Sequence, residues 1–142
     1  GPEVLSNVIQ YITMTTFGNA TDFGDLTQAR RNLAGFSSST RGVFGGGFTP
    51  SPSTTQYNTI DYITIASTGN ATDFGDLTQA RSDFGGASTK TRGTFICGRT
   101  PSIQNTIDYV TIASTSNATD FGDAVTARTG NTASSNSHGG LQ

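Results

Sequence analysis

The eight-residue stretch NATDFGDL occurs twice in this chain, and a close variant occurs a third time. The copies begin at Asn19 and Asn70 and, as NATDFGDA, at Asn117. Successive copies are therefore 51 and 47 residues apart. A period near 50 is too long for a heptad or a leucine-rich repeat, and it suits a unit of about four short strands. The repeat predicts that the chain is built from similar β units.

The similarity extends well beyond these eight residues. Residues 58–81 and 105–128 differ at five of 24 positions, while the first copy has diverged most at its beginning. Such drift is typical of the segment that opens an array, because its neighbour is not another repeat. Gly, Ser, Thr and Asn are abundant, which disfavours helices and suits short strands joined by tight turns.

Four strands are predicted in each unit. After Arg30 the sequence runs through RNLAGFSSS, a weak strand of small residues, and TRGVFGGG, an apolar run that ends in glycines. A variable loop leads to NTIDYITIAS, and ATDFGDLTQAR forms an outer strand. Ile60 and Tyr62 lie on one face of the third strand, with Ile63 and Ile65 on the other. Apolar groups on both faces predict that this strand is buried on both sides.

The strand count predicts an all-β β-propeller and divides the single domain, 1–142, into units. Residues 7–30 supply a half unit with the third and fourth strands, 31–81 and 82–128 are whole units, and 129–142 begin another half unit. This makes about three blades, whereas closed propellers have about four to eight. We therefore expect a homodimer of six blades, in which the C-terminal half unit completes the N-terminal half of the other chain. A trimeric β-solenoid fibre is the alternative fold.

The repeated phrase is interpreted as architecture. Asp73 is expected to accept hydrogen bonds from nearby backbone amides, and Phe74 to anchor the outer strand against the next unit. The structural repeat residues predicted in this way are Asp22, Phe23, Asp73, Phe74, Asp120 and Phe121. Asn-Ala-Thr also reads as a glycosylation sequon, and the paired aspartates as calcium ligands. Because each feature recurs once per unit, architecture is favoured and no metal site is predicted.

Charge and composition exclude several function classes. The formal net charge is −2, and eight Lys and Arg residues are scattered without a basic run, which argues against nucleic-acid binding. No stretch of 18 apolar residues is present, so no membrane span is predicted. The sequence has no Ser/His/Asp set and no clustered metal ligands, so neither an enzyme nor a cofactor is expected. A soluble protein is expected.

Binding is expected in the loops, because loops on a rigid scaffold commonly carry function. The two whole units differ in length between their second and third strands, where FTPSPSTTQY stands against RTPSIQ. Phe48 and Tyr57 delimit the longer loop, and Arg99 opens the shorter one. These three side chains are suited to stack on or clamp a sugar or a protein surface.

The order of strands and glycines resembles a kelch-type propeller blade. Gly45, Gly46 and Gly47 stand where kelch repeats have their glycine doublet, with a degraded version at Cys97-Gly98. Tyr62 and Tyr109 match the kelch tyrosine, and Phe74 and Phe121 take the place of the tryptophan.

The segment NTIDYITIASTGNATDFGDLT is also similar to repeats in virion and tail-associated proteins of marine bacteriophages, especially cyanophages. This resemblance implies a non-enzymatic structural or host-attachment module on a virion, with other virion proteins or a host-surface glycan as partners. A lectin-like carbohydrate-binding propeller and an engineered or excised propeller fragment that self-assembles are the alternatives.

Overall fold

A computed structural model describes residues 4–50 and 52–135, and within these ranges every regular element is a β-strand. The all-β class predicted from the sequence is confirmed. No helix in these ranges is long and apolar enough to cross a membrane. The strands are β1 (Val8–Tyr11), β2 (Thr21–Asp25), β3 (Ala34–Ser37), β4 (Arg41–Gly45), β5 (Phe48–Thr49), β6 (Thr55–Gln56), β7 (Thr59–Thr64), β8 (Thr72–Asp76), β9 (Gly85–Ser88), β10 (Arg92–Ile96), β11 (Arg99–Thr100), β12 (Ser102–Ile103), β13 (Thr106–Thr111) and β14 (Thr119–Asp123).

The strands form two four-stranded antiparallel sheets of the same topology. In the first sheet the order is β3-β4-β7-β8, and in the second it is β9-β10-β13-β14. The small hairpins β5–β6 and β11–β12 are inserted between the second and third strands of each sheet. Strands β1 and β2 pair with each other and correspond to the outer half of a sheet. We call this the N-terminal pair, and we call the contact between one unit and the next a seam.

The outer strand bears a bulge at the phenylalanine of the repeated phrase. Ile60 pairs with Gly75 and Asp61 with Asp73, so the register passes over Phe74. The same shift occurs between β1 and β2 and between β13 and β14. Phe74 is buried, and its ring meets that of Tyr62 edge-on at 5.8 Å between centroids. The bulge therefore turns one large side chain per unit towards the neighbouring sheet.

Asp73 acts in its turn as the sequence predicts. Its Oδ1 accepts a hydrogen bond of 3.2 Å from the Gly75 amide. The equivalent bonds from Gly24 to Asp22 and from Gly122 to Asp120 measure 3.2 and 3.0 Å. The side chain thus satisfies a backbone donor at the bulge in all three copies.

Three details of the strand prediction are wrong. The outer strand β8 ends at Asp76, and LTQAR is a connection to the next unit. Strand β7 ends at Thr64, where a turn begins, so Ile65 is exposed rather than buried. The longer loop carries its own two-residue hairpin, in which Phe48 pairs with Gln56.

The apolar core lies at the seams. The smaller cluster joins the N-terminal pair to the first sheet through Ile9, Phe23, Leu26 and Ile63. The larger cluster joins the first sheet to the second through Ala34, Val43, Ile60, Phe74, Leu77, Phe84, Phe95, Val110 and Ile112. Each unit is therefore stabilised by burying a face on its neighbour.

The first strands of the two sheets lie side by side, which explains their small residues. A Cβ added to Gly86 would lie 2.7 Å from the Gly35 carbonyl oxygen. The Ser88 hydroxyl donates a hydrogen bond of 2.8 Å to the Ser37 carbonyl. Larger side chains would hold the two sheets apart.

The C-terminal segment repeats this placement on the second sheet. The Gly130 amide donates to the Asp83 carbonyl at 2.9 Å, as the Asp83 amide donates to Asn32 at 3.0 Å. The Ser135 hydroxyl accepts a bond of 2.8 Å from the Ser88 amide. Residues 136–142 of the predicted C-terminal half unit lie outside the described residues.

Candidate functional site

A buried ion pair crosses the seam between the two sheets. The Arg81 and Asp108 side chains, both fully shielded from solvent, approach to 3.2 Å. The backbone amide and hydroxyl of Thr78 donate to the same carboxylate at 3.0 and 2.6 Å. Arg81 also donates to the Phe95 carbonyl at 3.1 Å. Burial lowers the pKa of the Arg81 guanidinium, an effect that the Asp108 carboxylate opposes.

The seam before it has the same arrangement. Arg30 lies 3.1 Å from Asp61, and again both side chains are fully buried. The amide and hydroxyl of Thr27 donate to the Asp61 carboxylate at 3.1 and 2.7 Å. The guanidinium N–H groups of Arg30 do not have hydrogen-bond geometry towards any described residue, so its contact with Asp61 is electrostatic. Because both pairs join a unit to the next, their role is architectural.

The expectations drawn from the sequence do not include these pairs, although the sequence carries a signal for them. An aspartate stands in the middle of two otherwise apolar strands, TIDYIT and TIDYVT, and a TQAR segment precedes each of their sheets. A buried carboxylate needs a cation and hydrogen-bond donors, and TQAR supplies both.

The repeated phrase forms a second set of contacts at each seam. The Asp25 amide donates to the Asn70 side-chain oxygen at 3.0 Å, and the Ala71 amide donates to the Asp25 carbonyl at 2.8 Å. At the next seam the Asp76 amide donates to the Asn117 side chain at 3.0 Å. The asparagine of NATDFGDL thus holds the preceding outer strand.

A cleft of about 490 Å3 opens where the β5–β6 hairpin approaches β11 of the next unit. It is lined by Phe48, Thr54, Gln56, Ser82, Asp83, Arg99 and Pro101. The cleft therefore lies between two units, at the loops where the sequence predicts binding.

Hydrogen bonds fix the floor of this cleft. Gln56 Nε2 donates to the Arg99 carbonyl at 3.0 Å and to the Ser82 hydroxyl at 3.3 Å. The Ser82 hydroxyl donates to one oxygen of the Asp83 carboxylate at 2.9 Å, and the side-chain Nδ2 of Asn32 donates to the other oxygen of that carboxylate. The exposed guanidinium of Arg99 forms no hydrogen bond or ion pair with the described part of the chain. The cleft thus offers a fixed polar floor beside an available cation.

Two of the three predicted binding residues meet in the cleft. Phe48 and Arg99 both line it, while Tyr57 does not and places its hydroxyl 3.3 Å from that of Thr49. The guanidinium of Arg31 lies 4.8 Å from the centre of the Phe48 ring. The sequence does not predict Gln56, Ser82 and Asp83, because it reveals neither the β5–β6 hairpin that carries Gln56 nor the bridge between Ser82 and Arg99.

Metal ligands do not cluster in the described ranges, where no group of three or more His, Cys, Asp or Glu side chains is placed to hold an ion. No protein-family model matches the chain, and no curated protein sequence is significantly similar to it.

Proposed function

We propose that the sheets are blades of a kelch-like β-propeller that serves as a non-enzymatic attachment module. Two observations support the propeller: each sheet is an antiparallel meander, and both seams repeat the same contacts. The small residues of the two first strands lie side by side, which supports an arrangement of the sheets around an axis. A position on a virion, next to tail proteins, rests on the resemblance to phage repeats alone.

The ligand proposed for this module is a host-surface carbohydrate, bound in the cleft between Phe48 and Arg99. The observation that carries this proposal is the available Arg99 guanidinium beside the fixed polar floor of Gln56, Ser82 and Asp83. Sugar hydroxyls need both donors and acceptors, and these side chains offer both. An aromatic edge at Phe48 adds apolar contact. A guanidinium further favours sugars that bear a carboxylate.

A glycan array with the purified protein tests this proposal. Binding is expected for a subset of glycans enriched in acidic sugars, and Arg99→Ala is expected to weaken it by about tenfold or more, the loss of one charge-assisted hydrogen bond. Lys90→Ala is the matched control, because Lys90 is an exposed cation outside the cleft and its loss should leave binding unchanged. No glycan binding, or equal losses in both variants, would contradict the proposal and favour a purely structural role.

A further inference from the structure

Each seam joins two different surfaces, and one copy of each has no neighbouring sheet among the described residues. The outer strand of one unit meets the third strand and turn of the next. The outer strand of the second sheet contacts no further sheet in the described part of the chain. We call this surface the acceptor edge: Phe121, Gly122, Asp123, Val125 and Arg128. The strand β1 and the turn after it, in the N-terminal pair, contact no other sheet within residues 4–50 and 52–135. We call this surface the donor edge: Gln10, Ile12, Met14, Asn19 and Ala20.

The apolar residues of the two edges are more exposed than their counterparts at the internal seams. Phe121 is 54% exposed, whereas Phe74 at the same position of β8 is 3% exposed. Met14 is 92% exposed, whereas Ile65 and Ile112, at the same position of the first and second units, are 45% and 1% exposed. Phe74 and Ile112 belong to the same cluster across the seam. The exposed pair therefore has the chemistry of a seam that has been left open.

Gly122 in the acceptor edge also faces space that is filled at an internal seam. A Cβ on Gly75, where φ is +144°, would lie 2.3 Å from the Ser116 carbonyl of the next unit's turn. Gly122 keeps this conformation with φ +135°, but no atom of the described residues lies within 4 Å of its Cβ position. The space that Ser116 fills at the internal seam is open at Gly122. In the donor edge the corresponding turn is Gly18-Asn19-Ala20.

The polar residues of both edges differ from those at the internal seams. Gln10 stands where the internal seams have an aspartate such as Asp108, and Val125 stands where they have a threonine such as Thr78. Gln10 has one acceptor oxygen instead of a carboxylate, and Val125 removes the hydroxyl donor that a carboxylate would use. Arg128, which is exposed, remains as a donor for Gln10. Gln10 also brings two amide N–H donors, and no carboxylate faces Arg128, so a contact between the two edges is expected to be weaker than an internal seam.

We propose that the donor edge of a second copy of this chain docks on the acceptor edge, in the register of the internal seams. Asn19 then accepts a hydrogen bond from the Asp123 amide, and Met14 covers Phe121. The two edges lie at opposite ends of the three stacked units, so the contact is head to tail, and two such contacts close a ring of two chains. The inference rests on the propeller arrangement proposed above, and not on the carbohydrate site.

Dissociation constants of edge variants test the surface. Phe121→Asp is expected to weaken self-association by at least about 100-fold, as for a buried interface anchor. Ile103→Asp is the matched control, because Ile103 is also 54% exposed but lies in β12, outside both edges. Ile103→Asp should change the constant by no more than about threefold. Circular dichroism checks that both variants fold. Unchanged association of Phe121→Asp would overturn the proposal.

A mixing experiment tests the head-to-tail geometry. Phe121→Asp chains and Met14→Asp chains should each fail to associate alone. When the two are mixed, the native donor edge of the Phe121→Asp chain can meet the native acceptor edge of the Met14→Asp chain. A heterodimer should therefore form. If no heterodimer forms, the edges do not pair with each other, and the proposal is wrong. Arg99→Ala should dimerise normally. Loss of glycan binding with intact self-association would affect only the proposed function, and loss of self-association with intact glycan binding would affect only this inference.

Restoring the internal residues tests the register. Gln10→Asp together with Val125→Thr recreates the arrangement of Asp108 and Thr78, with Arg128 as the cation. This double variant should associate on the order of tenfold more tightly, since close charge pairs at interfaces commonly couple by that much or more. Association that is unchanged or weaker would contradict the register.

Discussion

The Arg81 guanidinium and the Asp108 carboxylate lie 3.2 Å apart, are both shielded from solvent, and join the first sheet to the second. Asp108→Ala leaves the Arg81 charge buried without its partner. We expect this variant to lower the free energy of unfolding by about 3–5 kcal/mol, measured by urea denaturation. In the double variant Arg81→Met with Asp108→Leu both charges are gone, and the loss should be clearly smaller. A double variant as unstable as the single one would mean that the pair acts through packing alone.

The two phenylalanines of the repeated phrase should respond differently to truncation. Phe74→Ala opens a cavity at an internal seam and should lower the free energy of unfolding by about 3–5 kcal/mol at any protein concentration. Phe121→Ala should destabilise the protein only through lost association, so its effect on the melting temperature should be largest at high protein concentration and disappear on dilution. Thermal melts across a dilution series measure both. A concentration-independent loss for Phe121→Ala would place that ring in the core of a single chain.

The aspartate of the repeated phrase is expected to be a turn residue. Asp73→Ala removes the acceptor of the Gly75 amide and should cost about 0.5–2 kcal/mol, by analogy with the loss of a helix cap. Adding a chelator to the unmodified protein should leave the melting temperature unchanged. A drop after chelation as large as that of Asp73→Ala would indicate that the aspartates hold calcium.

The tip of the longer loop is expected to tolerate shortening. Four residues taken from 50–54 reduce it to the length of its counterpart while keeping the pairing of Phe48 with Gln56. Gln56 must remain, because it bonds across to Arg99 and Ser82. The melting temperature should then change by no more than about 2 °C, as for a surface change of a few tenths of a kcal/mol. A larger fall would show that the tip packs against another surface.

The sequence alone predicts the repeating part of this fold, because the repeat displays the strand pattern more than once. Phe74 stands out as the large apolar residue of its strand, and Asp73 follows the turn chemistry of its type. Asp61 and Asp108 were overlooked because alternation of apolar residues says nothing of a charge paired across sheets. Asp61 and its partner Arg30 are 31 positions apart along the chain, and only the packing of neighbouring units brings them together.

The sequence predicts only part of the candidate cleft, because contacts between separate segments decide the rest. Phe48 and Arg99 were identified from side-chain chemistry at the ends of loops of unequal length. Ser82 and Asp83 lie in the connection before β9, and they reach the cleft because Ser82 bridges to Arg99. Tyr57 was assigned to the same site, but its hydroxyl turns towards Thr49 of its own hairpin. The direction of such a side chain depends on the pairing within a short hairpin, and the residue type alone does not reveal that pairing.

Native mass spectrometry of the unmodified chain tests the central claim most directly. If the acceptor edge of each chain receives the donor edge of another and the ring closes at six blades, the dominant species has two chain masses and no larger members follow it. A dominant species of one chain mass would mean that the edges stay open, and three chain masses would agree instead with a trimeric β-solenoid fibre. Either result would contradict the two-chain ring.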